Sequence, residues 1–174
     1  FLVSLPDASR KRLAGVECHT LASEGAAHSV CVALPVSYGQ RSRQSYPLVL
    51  LLDGCPMLGS AIEMNRLMAE TKEIRECILV NVDLPRGEAD ISFLREQLLP
   101  WCRRNYRVAT DAIGVFSPRP GTAAAAAAQI DGLESIDSRT DAEPVPALVS
   151  GLRRRYATGG VYGQQITGLQ KPWI

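Results

Sequence analysis

Histidine is scarce in this 174-residue sequence, which contains only His19 and His28. Metal centres and proton relays built on imidazole therefore have almost nothing to draw on. Aromatic residues make up 6%, and the basic clusters at 10–12, 41–43 and 153–155 carry no interleaved aromatics. They read as solvated surface, and nucleic acid is not an expected partner. Neither sign of charge is in surplus: 19 Lys plus Arg stand against 18 Asp plus Glu, a formal net charge of +1. No field of one sign is left to hold a polyanion or an anionic membrane. The longest purely aliphatic stretch, Leu48 to Leu52, is far short of the roughly 20 residues that cross a bilayer. No succession of charged, apolar and small residues opens the sequence as a secretory signal would, so the expected location is cytoplasmic. The five cysteines, Cys18, Cys31, Cys55, Cys77 and Cys102, form no CxxC pair. Each has apolar neighbours, so the reading is buried thiols, with no metal and no cofactor implied.

Apolar residues are plentiful, at 46%, and their spacing organises the chain into one domain over 1–174. Val16 to Leu21 and His28 to Leu34 have β character, and the polar Ser23-Glu24-Gly25 between them predicts a hairpin. Ser37 to Tyr46 is polar and basic and reads as a loop. Pro47 to Asp53 is a continuous apolar run closed by Gly54, the pattern of a strand buried on both faces of a largely parallel sheet. Met57, Ala61, Met64 and Met68 recur at helical spacing, and Ile78 to Asp83 gives a second buried strand. Ile91, Leu94, Leu98 and Trp101 mark a helix that carries Arg95, Glu96 and Arg103 outward. Ala112 to Phe116 is a third buried strand, followed by an alanine helix over Ala123 to Ala128. Glu143 to Tyr156 is an amphipathic helix with three arginines at its end, where cations suit the helix dipole. Val161 to Thr167 reads as a last strand. Strands alternating with helices predict an α/β three-layer sandwich, its mainly parallel sheet extended by the antiparallel N-terminal hairpin.

Several blocks resemble a known family. Tyr46-Pro-Leu-Val-Leu-Leu-Leu-Asp-Gly54, Phe93-Leu-Arg-Glu-Gln-Leu-Leu-Pro100, Tyr106-Arg-Val and Ala112-Ile-Gly-Val-Phe-Ser117 are similar, in order and spacing, to blocks of the esterase family of α/β-hydrolases that includes enterochelin-type esterases and esterase D. The resemblance runs from about Val16 to Ala128 and implies a reduced α/β-hydrolase fold. It also implies that Ser117 stands where the family keeps its nucleophile, in a G-x-S-x-G elbow between strand and helix, and that Glu134 stands at the acid position, with Asp137 next. Asp53-Gly54-Cys55-Pro56 then corresponds to the loop that lends an oxyanion N–H. Read as a local turn, the same segment ends a strand and Gly54 permits an unusual φ. Asp53, Gly54, Cys55 and Arg119 are the expected ligand contacts.

The residues around Ser117 depart from what that chemistry needs. The elbow glycines are replaced by Val115 and Arg119. Pro118 follows the serine, and proline has no N–H to stabilise an oxyanion. Both histidines precede Ser117, and Leu169 stands where the family's histidine would be. Cys55 as an alternative nucleophile has no base to lower its pKa. The expectation is therefore a catalytically degenerate esterase-like protein that binds a small molecule or a protein partner. The alternative is a serine carboxylic-ester hydrolase using Ser117, Glu134 and an unconventional base. The resemblance also implies a longer stretch before Glu134 than this sequence has, and a sheet short of strands exposes an edge, so a homodimer is expected.

Overall fold

The structure, a computed structural model, describes residues 15–23, 26–52, 57–84, 88–119, 121–136 and 144–158. Its centre is made by three runs too apolar to have a wet face. These are β3 (Tyr46–Leu52), β4 (Ile78–Val82) and β5 (Val108–Phe116). β3 and β4 are buried at every position, as is β5 from Ala112 onward. β1 (Val16–Ser23) and β2 (Ala26–Ala33) form the expected hairpin, and β6 (Leu133–Ser135) adds a short sixth strand. The order across the sheet is β1-β2-β4-β3-β5-β6. β2 runs antiparallel to both β1 and β4, whereas β3 is parallel to β4 and β5, and β5 is parallel to β6.

Alternation along the central strands feeds two cores, because successive side chains point to opposite faces. Leu48, Leu50, Leu52, Val80, Ile113 and Val115 face one way. Over them lies α2, a helical segment at 88–105 made of Glu88–Phe93, a π-helical turn Leu94–Leu98 and Leu99–Asn105. Beside α2 lies α3 (Thr122–Gln129). Val49, Leu51, Leu79 and Phe116 face the other way. That face is covered by α1 (Leu58–Glu70) and α4 (Pro144–Tyr156). The result is the three-layer sandwich with an antiparallel N-terminal hairpin that the sequence predicts. The π-helical turn immediately precedes Pro100, whose missing N–H and ring interrupt the α-helical ladder; the Leu99 N–H reaches back five residues to the Leu94 carbonyl.

Several details differ from the sequence reading. The α1 stripe keeps Ala61 and Met68, but Leu58 and Asn65 are buried in place of their neighbours Met57 and Met64, which are half-buried. Asn65 is tolerated there because its side chain acts like a neighbouring strand. Its Nδ2 donates to the Cys77 carbonyl at 3.0 Å, and its Oδ1 accepts the Cys77 N–H at 3.3 Å. Asn65 thus ties α1 to the chain entering β4. β5 begins at Val108 rather than Ala112, and β6 has no counterpart in the periodicity. The strand read at Val161 to Thr167, and Glu143 at the start of the last helix, lie outside the described residues.

The cysteines need a correction. Cys18 and Cys31 are joined in a disulfide, with Cα atoms 4.1 Å apart. They are direct partners in the β1–β2 ladder, at the closely spaced kind of antiparallel position where facing side chains meet. Cys77 and Cys102 are the free, buried thiols expected. Burial pushes both up to about 12 and leaves them inert. No helix of the described residues is long and apolar enough to cross a membrane.

Candidate functional site

Ser117 follows the last residue of β5 and is 1% exposed. Its Oγ accepts the backbone N–H of Arg119 at 3.1 Å, a local bond that holds the turn. α3 begins only at Thr122, after Gly121 at φ +80°. Strand and helix are thus joined by a connection of several residues, where a nucleophile elbow turns sharply at the serine itself. Pro118 and Arg119, at the places of the next N–H donor and the second elbow glycine, are half-buried. Val115, at the place of the first glycine, is buried in the core under α2 and α3.

Glu134 lies within β6, opposite Gly114 of β5. Its carboxylate pairs with the Arg155 guanidinium of α4. Gly114 faces α4: a Cβ there would lie 2.5 Å from the Tyr156 hydroxyl. Ser117 is three residues further on, past the end of β5 and about 10 Å along the strand direction from the position that Glu134 faces. The structure therefore does not bring Ser117 and Glu134 together. Asp53, Gly54, Cys55 and Leu169 lie outside the described residues, as does Asp137.

Neither histidine reaches Ser117. His28, 4% exposed, stacks on Phe93 with ring centroids 3.9 Å apart, and its Nδ1 has no hydrogen-bond partner. It belongs to β2, and β4 and β3 intervene before β5, a lateral offset of about 14 Å at the usual strand spacing. His19, one strand further out, is 3.2 Å from the Tyr106 hydroxyl through Nε2 and packs edge-on against Trp101. Tyr106 also donates to Glu17 at 3.3 Å. Burial, and then the Glu17 charge, raise the Tyr106 hydroxyl well above its ordinary value. These contacts fasten β1 to α2 and leave the imidazole engaged in packing. Among the described residues no three His, Cys, Asp or Glu side chains gather as metal ligands.

A feature the sequence reading missed is a groove of about 1590 Å³ between α1 and the β1–β2 hairpin, on the α1 and α4 face. Val16, Ala33, Val36, Ile62, Arg66 and Ala69 contribute to its walls. Val36 is 69% exposed there. Among the described residues two helices, α1 and α4, cover this face, and neither lies over its hairpin end. At its lower margin Ser37 is fixed by Glu76, which accepts from both its N–H and its hydroxyl. The Ser37 Oγ also lies 2.9 Å from the Tyr46 hydroxyl.

No protein family model matches the sequence, and no curated protein matches it either. Solved structures do resemble it in fold. A ferulic acid esterase superposes with a TM-score of 0.58 at 19% identity, over 81% of this chain and 68% of its own. A siderophore hydrolase from Aspergillus nidulans gives 0.53 at 17% identity, over 63% and 50%. An uncharacterised protein from Capnocytophaga ochracea gives 0.53 at 23% identity, over 59% of this chain and 32% of its own. This chain therefore spans between about a third and two thirds of the length of these proteins. At such identities the likeness establishes the fold, and the fold is a reduced α/β-hydrolase fold.

Proposed function

We propose that this chain is a catalytically degenerate relative of the esterase-like α/β-hydrolases, which binds a small molecule or a protein partner rather than cleaving an ester. The observation that carries the reading is the state of Ser117. Its hydroxyl is shut from solvent and accepts the Arg119 N–H, and Pro118 beside it has no N–H to offer an oxyanion. The loss of one such donor alone costs on the order of 100- to 1000-fold in rate. The lateral offset of both histidines adds to the case, because a serine hydroxyl attacks only once a base takes its proton. Glu134, engaged with Arg155, has no imidazole to orient. Asp53, Gly54, Cys55 and Arg119 remain the proposed contacts for a small ligand around Ser117.

The competing reading, a serine carboxylic-ester hydrolase, is favoured by the position of Ser117 directly after β5, where this fold presents its nucleophile. The two separate in one experiment. The protein and its Ser117→Ala variant are incubated with p-nitrophenyl acetate and with a fluorophosphonate probe. The degenerate reading expects no serine-dependent turnover and no labelling. Turnover or labelling that disappears in Ser117→Ala establishes the hydrolase.

A further inference from the structure

The β1–β2 hairpin carries a second chemistry, independent of Ser117. Cys18 and Cys31 face each other across the ladder and are bonded. Their surroundings differ sharply: Cys18 lies exposed on the edge strand, while Cys31 is 5% exposed and packs in the core under α1 and α4. Thiol–disulfide exchange needs a thiolate to reach one sulfur of the bond, and Cys18 is the side of this bond that solvent reaches. We propose that this pair is a redox site for small thiols and dithiols, with the Cys18 Sγ as the atom attacked.

The exchange balances without any other reactant. A thiolate bonds to Cys18 Sγ, the Cys18–Cys31 bond breaks, and Cys31 departs with the electron pair. Cys31 then takes a proton, since apolar surroundings favour the neutral thiol. A second thiolate attacks the mixed disulfide at the sulfur of the first and releases Cys18. Two thiols become one disulfide, and the hairpin gains two electrons and two protons. Among the described residues the free thiols Cys77 and Cys102 are buried and, at about 12, un-ionised at neutral pH, so neither competes. Besides the disulfide, β1 is held by its ladder to β2, by the Tyr106 contacts of Glu17 and His19, and by the Gln97–Ser23 hydrogen bond at 2.7 Å. Reduction therefore loosens β1 while β3, β4 and β5 stay in place. Bonds of this kind persist where thiols are kept oxidised and open where glutathione is reduced, so the hairpin reports the compartment it is in.

The test uses the oxidised full chain and reduced glutathione. After quenching and alkylation, cleavage at Glu17, Glu24 and Arg43 puts Cys18, Cys31 and Cys55 on separate fragments. The expected result is a glutathione adduct on Cys18 with Cys31 recovered as an alkylated thiol, and faster amide exchange in Val16–Ser23 with no change in β3 or β5. An adduct on Cys31, two free thiols before any reductant is added, or unchanged exchange in β1 overturns the proposal. In single variants, a maleimide should label Cys18 of Cys31→Ser at least about 10-fold faster than Cys31 of Cys18→Ser; equal rates count against it.

Discussion

Gly114 shows how much one side chain decides at the join of β5 and α4. A Cβ at this position would meet Ile136 Cδ1 and the Tyr156 hydroxyl, both at 2.5 Å, and both belong to buried residues with little room to move. Gly114→Ala should cost about 1–3 kcal/mol through overpacking, read as a lower urea midpoint with an unchanged slope. The buried thiols give a second expectation. Cys77 and Cys102 are raised from 9.0 to about 12 in the folded chain, so above pH 9 the unfolded chain gives up protons that the folded chain keeps. Stability is complete below that point and falls as pH rises toward 12. The loss should reach about 1 kcal/mol per thiol by pH 10, seen as a urea midpoint lower at pH 10 than at pH 8. Cys77→Ala and Cys102→Ala should each flatten the difference. Residue identity was a good guide wherever burial alone set the choice, as in Leu48, Leu50 and Val80. It failed at Asn65, because a polar side chain in a core is admitted by a partner on another element, here the Cys77 backbone, which periodicity does not contain.

At the level of elements, the central strands were legible because both of their faces are apolar, a pattern that few other local structures produce. β6 was not. It has three residues, of which only Leu133 is buried, and it exists because the neighbouring edge of β5 accepts it. The disulfide is a different kind of miss. Cys18 and Cys31 face each other only in the register that pairs Ser23 with Ala26; a turn at Ser23-Glu24-Gly25 sets no such register, and apolar surroundings argued for thiols. The bond closes a loop of 13 residues in sequence separation, worth up to about 3 kcal/mol by restriction of the unfolded chain. Reduction with dithiothreitol should therefore lower the melting temperature by about 5–10 °C, and a Cys18→Ser/Cys31→Ser variant should melt at that lower temperature with or without reductant. The candidate site was legible in its parts and illegible in its arrangement. Pro118 announces a missing donor in one letter, whereas the separation of Ser117 from Glu134 follows from a register known only once β6 is paired with β5.

At the scale of the molecule, the described residues put two helices on the α1 and α4 face and none over its hairpin end, and the described sheet ends on the short strand β6. We propose that copies of the chain associate through such surfaces. Light scattering at high micromolar concentration should give twice the monomer mass; a monomeric mass sets the dimer aside. The placement of Glu134 also bears on any attempt to give this scaffold esterase activity. Its carboxylate is tied to Arg155 within the β5–β6 ladder, so replacing Pro118 by a residue with an N–H would restore a donor and still leave that carboxylate committed elsewhere. On this scaffold the partner of a carboxylate, fixed by how β6 meets α4, decides what the carboxylate can serve before any single neighbouring side chain does.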